Sequence, residues 1–232
     1  MKKQAYIHLF YLLFFPGYVC MAQPDKPKTV YSVYTGSFSG TGNPGNEWFL
    51  STAIHLSPLK GDNRMTVRSL WDSDSLYFRI EVADRDLRAY QQEKDHPELY
   101  LDDMVEILLD TKNDKTSCWA FDDIVYHINL LGQKKDDRGS DSCRTDRAWD
   151  GTANYSIRLF GTLNDTTDID SGYEIEIAFP WNELDISPVN NMRIGADFAN
   201  GDNDGNGRSL YDWVGAEPMR NPQMFGTLIL TF

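Results

Sequence analysis

Between Leu70 and Asp110 the chain reads LWDSDSLYFRIEVADRDL, then a polar connection, then YLDDMVEILLD. These two segments constrain the fold more than any others. Leu76, Phe78, Ile80 and Val82 alternate with Tyr77, Arg79, Glu81 and Ala83, and Val105, Ile107 and Leu109 alternate with Glu106, Leu108 and Asp110. A period of two in stretches rich in β-branched and aromatic residues predicts strands with one buried face. Asp72-Ser73-Asp74-Ser75 is turn chemistry, so Met65 to Trp71 and Leu76 to Ala83 are expected to pair as a hairpin.

The rest of the chain continues in the same idiom. Val30 to Phe38 reads as a first strand, followed by the Gly-rich turn SGTGNPGN. Ile124 to Leu131 is a strand with Ile124, Tyr126, Ile128 and Leu130 on one face and Val125, His127, Asn129 and Leu131 on the other. Tyr155 to Phe160, Tyr173 to Phe179, Ile194 to Ala199 and Thr227 to Phe232 are further strands, and Trp181 to Leu184 is a single helical turn after Pro180. Asp84 to Tyr100, Thr111 to Asp122 and the charged stretch Gln133 to Asp150 read as loops. Trp48 to Leu56 is apolar without a clear period and is assigned to no state. At least eight strands with short turns and no amphipathic helix predict an all-β, antiparallel β-sandwich, jelly-roll or immunoglobulin-like, as one domain over 30–232.

The net charge is −13 and no basic cluster exists. Binding to a nucleic-acid backbone or an anionic membrane surface is therefore disfavoured, whereas neutral sugars and cations fit. Lys2 and Lys3 precede an apolar run from Ala5 to Val19 that Pro16-Gly17 interrupts, and Cys20-Met21-Ala22 precedes Gln23. This pattern predicts a signal peptide over 1–22 rather than a transmembrane helix, then a Pro-containing tether over 23–29. The expected destination is periplasmic, cell-surface or secreted. A lipidated Cys20 is the alternative, against which Tyr18-Val19 counts. In the mature chain, Cys118 and Cys143 allow either a disulfide or two separate thiols, and the sequence does not choose between them.

Neutral sugars are recognised by flat aromatic faces against their C–H patches and by planar polar groups that satisfy their hydroxyls. Glu106, His127 and Asn129 each lie opposite the apolar set of their strand and would share one surface if those strands were neighbours. Periodicity alone allows the plainer reading of polar residues on a solvated sheet face.

Five segments, LWDSDSLYFRIEVADRDL, DDMVEILLD, YHINLLG, GYEIEIAFPWNEL and NPQMFGTLIL, occur in an order that resembles the family 9 carbohydrate-binding modules over about Tyr31 to Phe232. The resemblance implies a β-sandwich that binds a mono- or oligosaccharide, at a chain end in the family. It implies that Tyr100 stacks on the ring and that Glu106, His127 and Asn129 bond hydroxyls. It also implies that Met219, where the family has a second tryptophan, and Arg220 line the opposite wall. Trp213 is near enough in sequence to replace that missing aromatic.

The resemblance further implies structural calcium. Asp202-Asn203-Asp204-Gly205-Asn206-Gly207 places oxygen side chains at alternate positions with Gly at the sixth, like the first half of a calcium loop. The twelfth position is Trp213, so Asp202, Asp204 and Asn206 would need a ligand from elsewhere, Asp212 or another loop. An Asx/Gly turn without metal explains the same composition. No organic cofactor is expected. No nucleophile elbow, zinc-protease helix motif, phosphate loop or dinucleotide fingerprint occurs, and no carboxylate pair stands out, so the chain is not expected to be an enzyme. Modules of this family often accompany glycoside hydrolases, which makes a separate hydrolase a candidate partner. The superfamily also contains haem-binding redox subunits, for which His127 with Met104, Met192, Met219 or Met224 would be the ligands.

Overall fold

The computed structural model describes residues 29–36, 46–58, 61–205, 207–215 and 221–232. The expected signal peptide and most of the expected tether lie outside the described residues, as do Asn206, Met219 and Arg220.

The described residues form thirteen strands: β1 (Thr29–Tyr34), β2 (Ile54–Leu56), β3 (Arg64–Trp71), β4 (Ser75–Ala83), β5 (Met104–Asp110), β6 (Asp123–Asn129), β7 (Lys134–Ser140), β8 (Arg144–Asp146), β9 (Asn154–Leu159), β10 (Tyr173–Pro180), β11 (Arg193–Asn203), β12 (Arg208–Asp212) and β13 (Gly226–Thr231). One short α-helix, α1, spans Trp181–Leu184; of Trp48 to Leu56, which the sequence assigns to no state, the first part lies in a 3-10 turn over Asn46–Leu50 and the last is β2. The hydrogen-bonded order is β8-β7-β6-β5-β11-β13-β1-β3-β4-β10-β9, with β12 on β11 and β2 on β3. This ladder curls over onto itself. Phe78 on β4 meets Phe198 on β11 at 5.1 Å between ring centroids, and Tyr126 on β6 meets Phe179 on β10 at 5.0 Å. Strands far apart in the ladder thus share one core, which is the sandwich expected from the alternation.

The β3–β4 hairpin forms as predicted, with Trp71 opposite Leu76. Asp72 makes the turn: its Oδ1 accepts from the Asp74 and Ser75 amides, and the Tyr77 hydroxyl donates to its Oδ2. Pairing is antiparallel except at β1, which runs parallel to both β13 and β3. β1 thereby joins the last strand to the first hairpin, and the Trp71 indole N–H donates to the Thr231 carbonyl across that seam.

Two expectations need correction. Gln133 to Asp150 is not simply a loop, because it carries β7 and β8. KKDDRGS has no apolar alternation, and its strand state comes from backbone pairing to β6. Cys118 and Cys143 form a disulfide that ties the β5–β6 connection to the β7–β8 turn. Secondly, β5 and β6 are buried on both faces rather than one. The segment from Asp84 to Asp103 and the β11–β12 hairpin cover the side on which Glu106, His127 and Asn129 stand.

Candidate functional site

The site begins with strand register. Glu106 on β5 lies directly across from His127 on β6, and Met104 across from Asn129. The three polar positions therefore share one side of adjacent strands, as the alternation anticipated. His127 Nε2 is 3.5 Å from Glu106 Oε2, and its Nδ1 is 3.2 Å from the Lys135 carbonyl. On the other flank, Arg208 Nη2 is 3.6 Å from Glu106 Oε1, and its guanidinium carbon lies 5.7 Å from the centroid of the Tyr100 ring. Tyr100, Arg208, Glu106 and His127 thus make a row leading from solvent inward. Tyr100 is 43% exposed, whereas Glu106 and His127 are 1% and 3% exposed. The open hollow shared by all four expected residues is not formed, because Arg208 lies over the carboxylate.

Arg208 is the member that sequence reasoning missed. Nothing local marks it; it reaches the row only because β12 folds back on β11, with Arg208 opposite Asn203. Its side chain is nine-tenths buried, yet Nε has no hydrogen-bond partner among the described residues. Gly201 makes the space, since a Cβ there would lie 2.9 Å from Arg208 Nη2 and 3.2 Å from Met104 Cγ.

Asn129 belongs to the site in a different way. Its Nδ2 donates to the Gln91 carbonyl and to Asp102 Oδ2, both at 2.8 Å, while its Oδ1 accepts from the Leu131 and Gln133 amides. Asp102 also accepts from the Tyr90 and Gln91 amides. With its amide saturated, Asn129 holds the segment that presents Tyr100 and has no donor to spare for a ligand. Trp213 is buried, tilted against Phe198 at 6.2 Å, and is part of the core rather than a stacking platform. Both His127 nitrogens are engaged and Met104 is fully buried in the core, so this geometry does not favour an iron site at His127. A groove of about 420 Å³ between the β6–β7 turn and β9 is lined by Leu130, Leu131, Gly132, Tyr155, Ile157 and Leu159, with few groups to satisfy a polyol.

Beside this row lies an acidic cluster. Asp202 and Asp204 meet Asp84 from the end of β4, with ligand oxygens all within 4.8 Å of one another. Asp212, considered from the sequence, is not among these carboxylates. Asp84 Oδ1 accepts from the Asp86 amide and Asp202 Oδ2 from the Ser209 hydroxyl. Among the described residues, Asp84 Oδ2 and Asp202 Oδ1 are buried without a hydrogen-bond partner at bonding distance, and the Asn63 side chain is the neighbouring group that lowers both carboxyls. Burial, reinforced by Asp202 and Asp204, pushes Asp84 up to about 7. Burial and the Asp204 charge push Asp202 up to about 6. Asp103, fully buried behind them, accepts from the Arg88 and Asn203 amides; burial and the Asp84 charge push it up to about 9. Such a donor set, all oxygen with two orphaned buried atoms, fits a hard cation.

Comparison with known proteins places this geometry. Residues 51–231 match the family described as Carbohydrate family 9 binding domain-like. Exoglucanase XynX of Acetivibrio thermocellus is 29% identical over 170 residues, which is 72% of this chain and 13% of that enzyme. Endo-1,4-beta-xylanase A of Thermoanaerobacterium saccharolyticum is 28% identical over 170 residues, with the same 72% and 13% covered. The chain thus spans a small part of these curated relatives. Among solved structures, a family 9 carbohydrate-binding module from Caldicellulosiruptor kristjanssonii in complex with cellotriose superposes with a TM-score of 0.67 at 22% identity, over 88% of this chain and 93% of that one. The same organism's module in complex with glucose gives 0.65 at 22% identity, over 88% and 95%. At that identity the likeness shows the fold, and the family match extends over most of the sequence: the chain belongs to the carbohydrate family 9 binding domain-like family.

Proposed function

We propose that this protein is an exported, non-catalytic carbohydrate-binding module whose ligand is a neutral mono- or oligosaccharide held at the Tyr100 face. The observation that carries this reading is the row Tyr100–Arg208–Glu106–His127: an exposed aromatic face, a guanidinium with an unused donor, and a carboxylate braced by an imidazole. The two solved modules that share the fold hold cellotriose and glucose, and the curated relatives are an exoglucanase and xylanases. That company supports a sugar ligand, an extracellular setting and a glycoside hydrolase partner.

In this mechanism a sugar ring lays its C–H face on Tyr100. Arg208 moves off the ring and uncovers Glu106; because their ion pair is buried, its loss is costly and the sugar hydroxyls that replace the guanidinium must offset it. Glu106 then accepts from ring hydroxyls, and Arg208 Nε donates to a ring oxygen. His127 braces the carboxylate, while Asn129 positions Tyr100 through the 90–102 segment. A calcium ion held by Asp84, Asp202 and Asp204 would stiffen the β11–β12 hairpin that carries Arg208; this too is a proposal, resting on the two orphaned buried oxygens.

The test is titration calorimetry against glucose, cellobiose, cellotriose and their reduced alditols. Tyr100→Ala should weaken binding by about 1 kcal/mol, roughly fivefold, with an unchanged melting temperature. Equal affinity of Tyr100→Ala and the parent protein would remove the site assignment. No binding to any saccharide would remove the function.

A further inference from the structure

The ladder ends at β9, which pairs with β10 on one side and with no described strand on the other. Just past the end of β9, the Phe160 amide donates to the Gly172 carbonyl at 2.8 Å. Residues of an antiparallel strand alternate between facing the neighbouring strand and facing away, so Arg158 and Ser156 direct their backbone groups at β10. Tyr155, Ile157 and Leu159 therefore present their N–H and C=O groups at the open edge. NYSIRL holds no proline, no lysine and no inward charge, the features by which an exposed edge refuses a further strand. The side chains of the same three residues are half-buried, and they line the groove of about 420 Å³ with Leu130, Leu131 and Gly132. We infer that β9 is a self-association edge, through which two copies of this chain join antiparallel about a two-fold axis at Ile157.

That axis sets Ile157 against the partner's Ile157 and Tyr155 against the partner's Leu159, residues that all carry free backbone groups. Each facing pair exchanges two hydrogen bonds, and the incoming apolar side chains fall over the groove. An axis at Ser156 would instead set Leu159 against Ala153 and Arg158 against Asn154.

Charge selects the second copy over an unrelated strand. On the opposite face of the sheet, Glu174 takes both Arg79 and Arg158. Glu176 is 9% exposed and has no ion pair among the described residues; burial, then the Glu174 charge, pushes its carboxyl up. Glu176 lies directly across from Ser156, and the axis at Ile157 puts the partner's Arg158 on the far side of that small serine. The Arg158 side chain is 60% exposed, and Glu174 keeps Arg79 without it. Each Arg158 thus reaches over Ser156 to the other copy's Glu176, and symmetry makes two such pairs. The assembly carries two Tyr100 faces, so retention on a polymer rests on both; that consequence, unlike the pairing, rests on the saccharide reading.

Sedimentation velocity of the exported chain tests the pairing, with a dissociation constant on the order of 10 μM expected for so small an interface. As the dimer forms, amide exchange read by NMR should slow at Tyr155, Ile157 and Leu159. It should stay unchanged at Ser156 and Arg158, whose amides already face β10. Ile157→Lys puts like charges face to face on the axis, and Arg158→Ala removes the crossing ion pairs. Both alter partly exposed side chains and should keep the melting temperature of the dilute protein. The dissociation constant should rise by about tenfold in the first variant and about threefold in the second. A single monomeric species up to about 200 μM overturns the inference. So does a dimer whose three edge amides exchange as in the monomer, or one that Ile157→Lys leaves as tight as the parent.

Discussion

Asn129 shows how a single side chain's role follows from its bonding inventory. A primary amide has two N–H donors and a carbonyl with two lone pairs, and here all of them are taken by Gln91, Asp102, Leu131 and Gln133. Removing it would take one donor from the buried Asp102 carboxylate, leave the Leu131 and Gln133 amides without their side-chain acceptor, and loosen the segment that presents Tyr100. Asn129→Ala is therefore expected to destabilise the domain by about 2–3 kcal/mol, read from denaturant midpoints at constant slope. Sugar affinity should fall as a consequence. A variant that lost affinity with full stability would mean that Asn129 touches the ligand after all. The strand and face of Asn129 were readable from its alternation with Ile128 and Leu130. Its saturation was not, because Gln91 and Asp102 reach it through a loop whose path leaves no periodic trace.

At the scale of elements, β7 is the least legible strand and the disulfide is what anchors its far end. Lys134 pairs with Asp136 and Asp150, so this edge is written in charge rather than in apolar alternation. Period two was informative for β3, β4 and β10, where charged positions such as Arg79, Arg158 and Glu174 meet in ion pairs opposite the apolar face. It was silent for KKDDRGS. The Cys118–Cys143 link closes a sequence separation of 25 residues. Loop closure of that size contributes about 3 kcal/mol in the chain-entropy description. Reduction, or a Cys118→Ser/Cys143→Ser double variant, should lower stability by about that amount, with hydrogen exchange rising first in β7, β8 and the 111–122 loop. Unchanged exchange in those segments would show that the link carries no structural load.

The whole molecule integrates its buried acids into a pH response. Asp202, Asp84, Asp123 and Asp103 stand at about 6, 7, 7 and 9 in the folded state, against about 3.9 for an unfolded aspartate. The folded state therefore binds more protons than the unfolded state from about pH 4 to 9, and its stability falls as pH rises through that window. Asp150, held at about 2 by Lys134 and Lys94, is ionised in both states above pH 5 and adds no slope. In chelator, the melting temperature should be lower at pH 8 than at pH 5. Millimolar calcium should shrink that difference, because a cation replaces the protons. A melting temperature that rises with pH in chelator would contradict the cluster energetics.

The sequence by itself determined the strand periods, the Asp72 hairpin turn, the layered β architecture and the facing of Glu106, His127 and Asn129, because side-chain alternation is a local property of extended backbone. Tertiary structure alone decided what covers those faces. Whether Glu106 meets water or Arg208, and whether Asp202 finds Asp84, depends on ladder order and loop closure between segments remote in the chain, and neither is encoded in any local window.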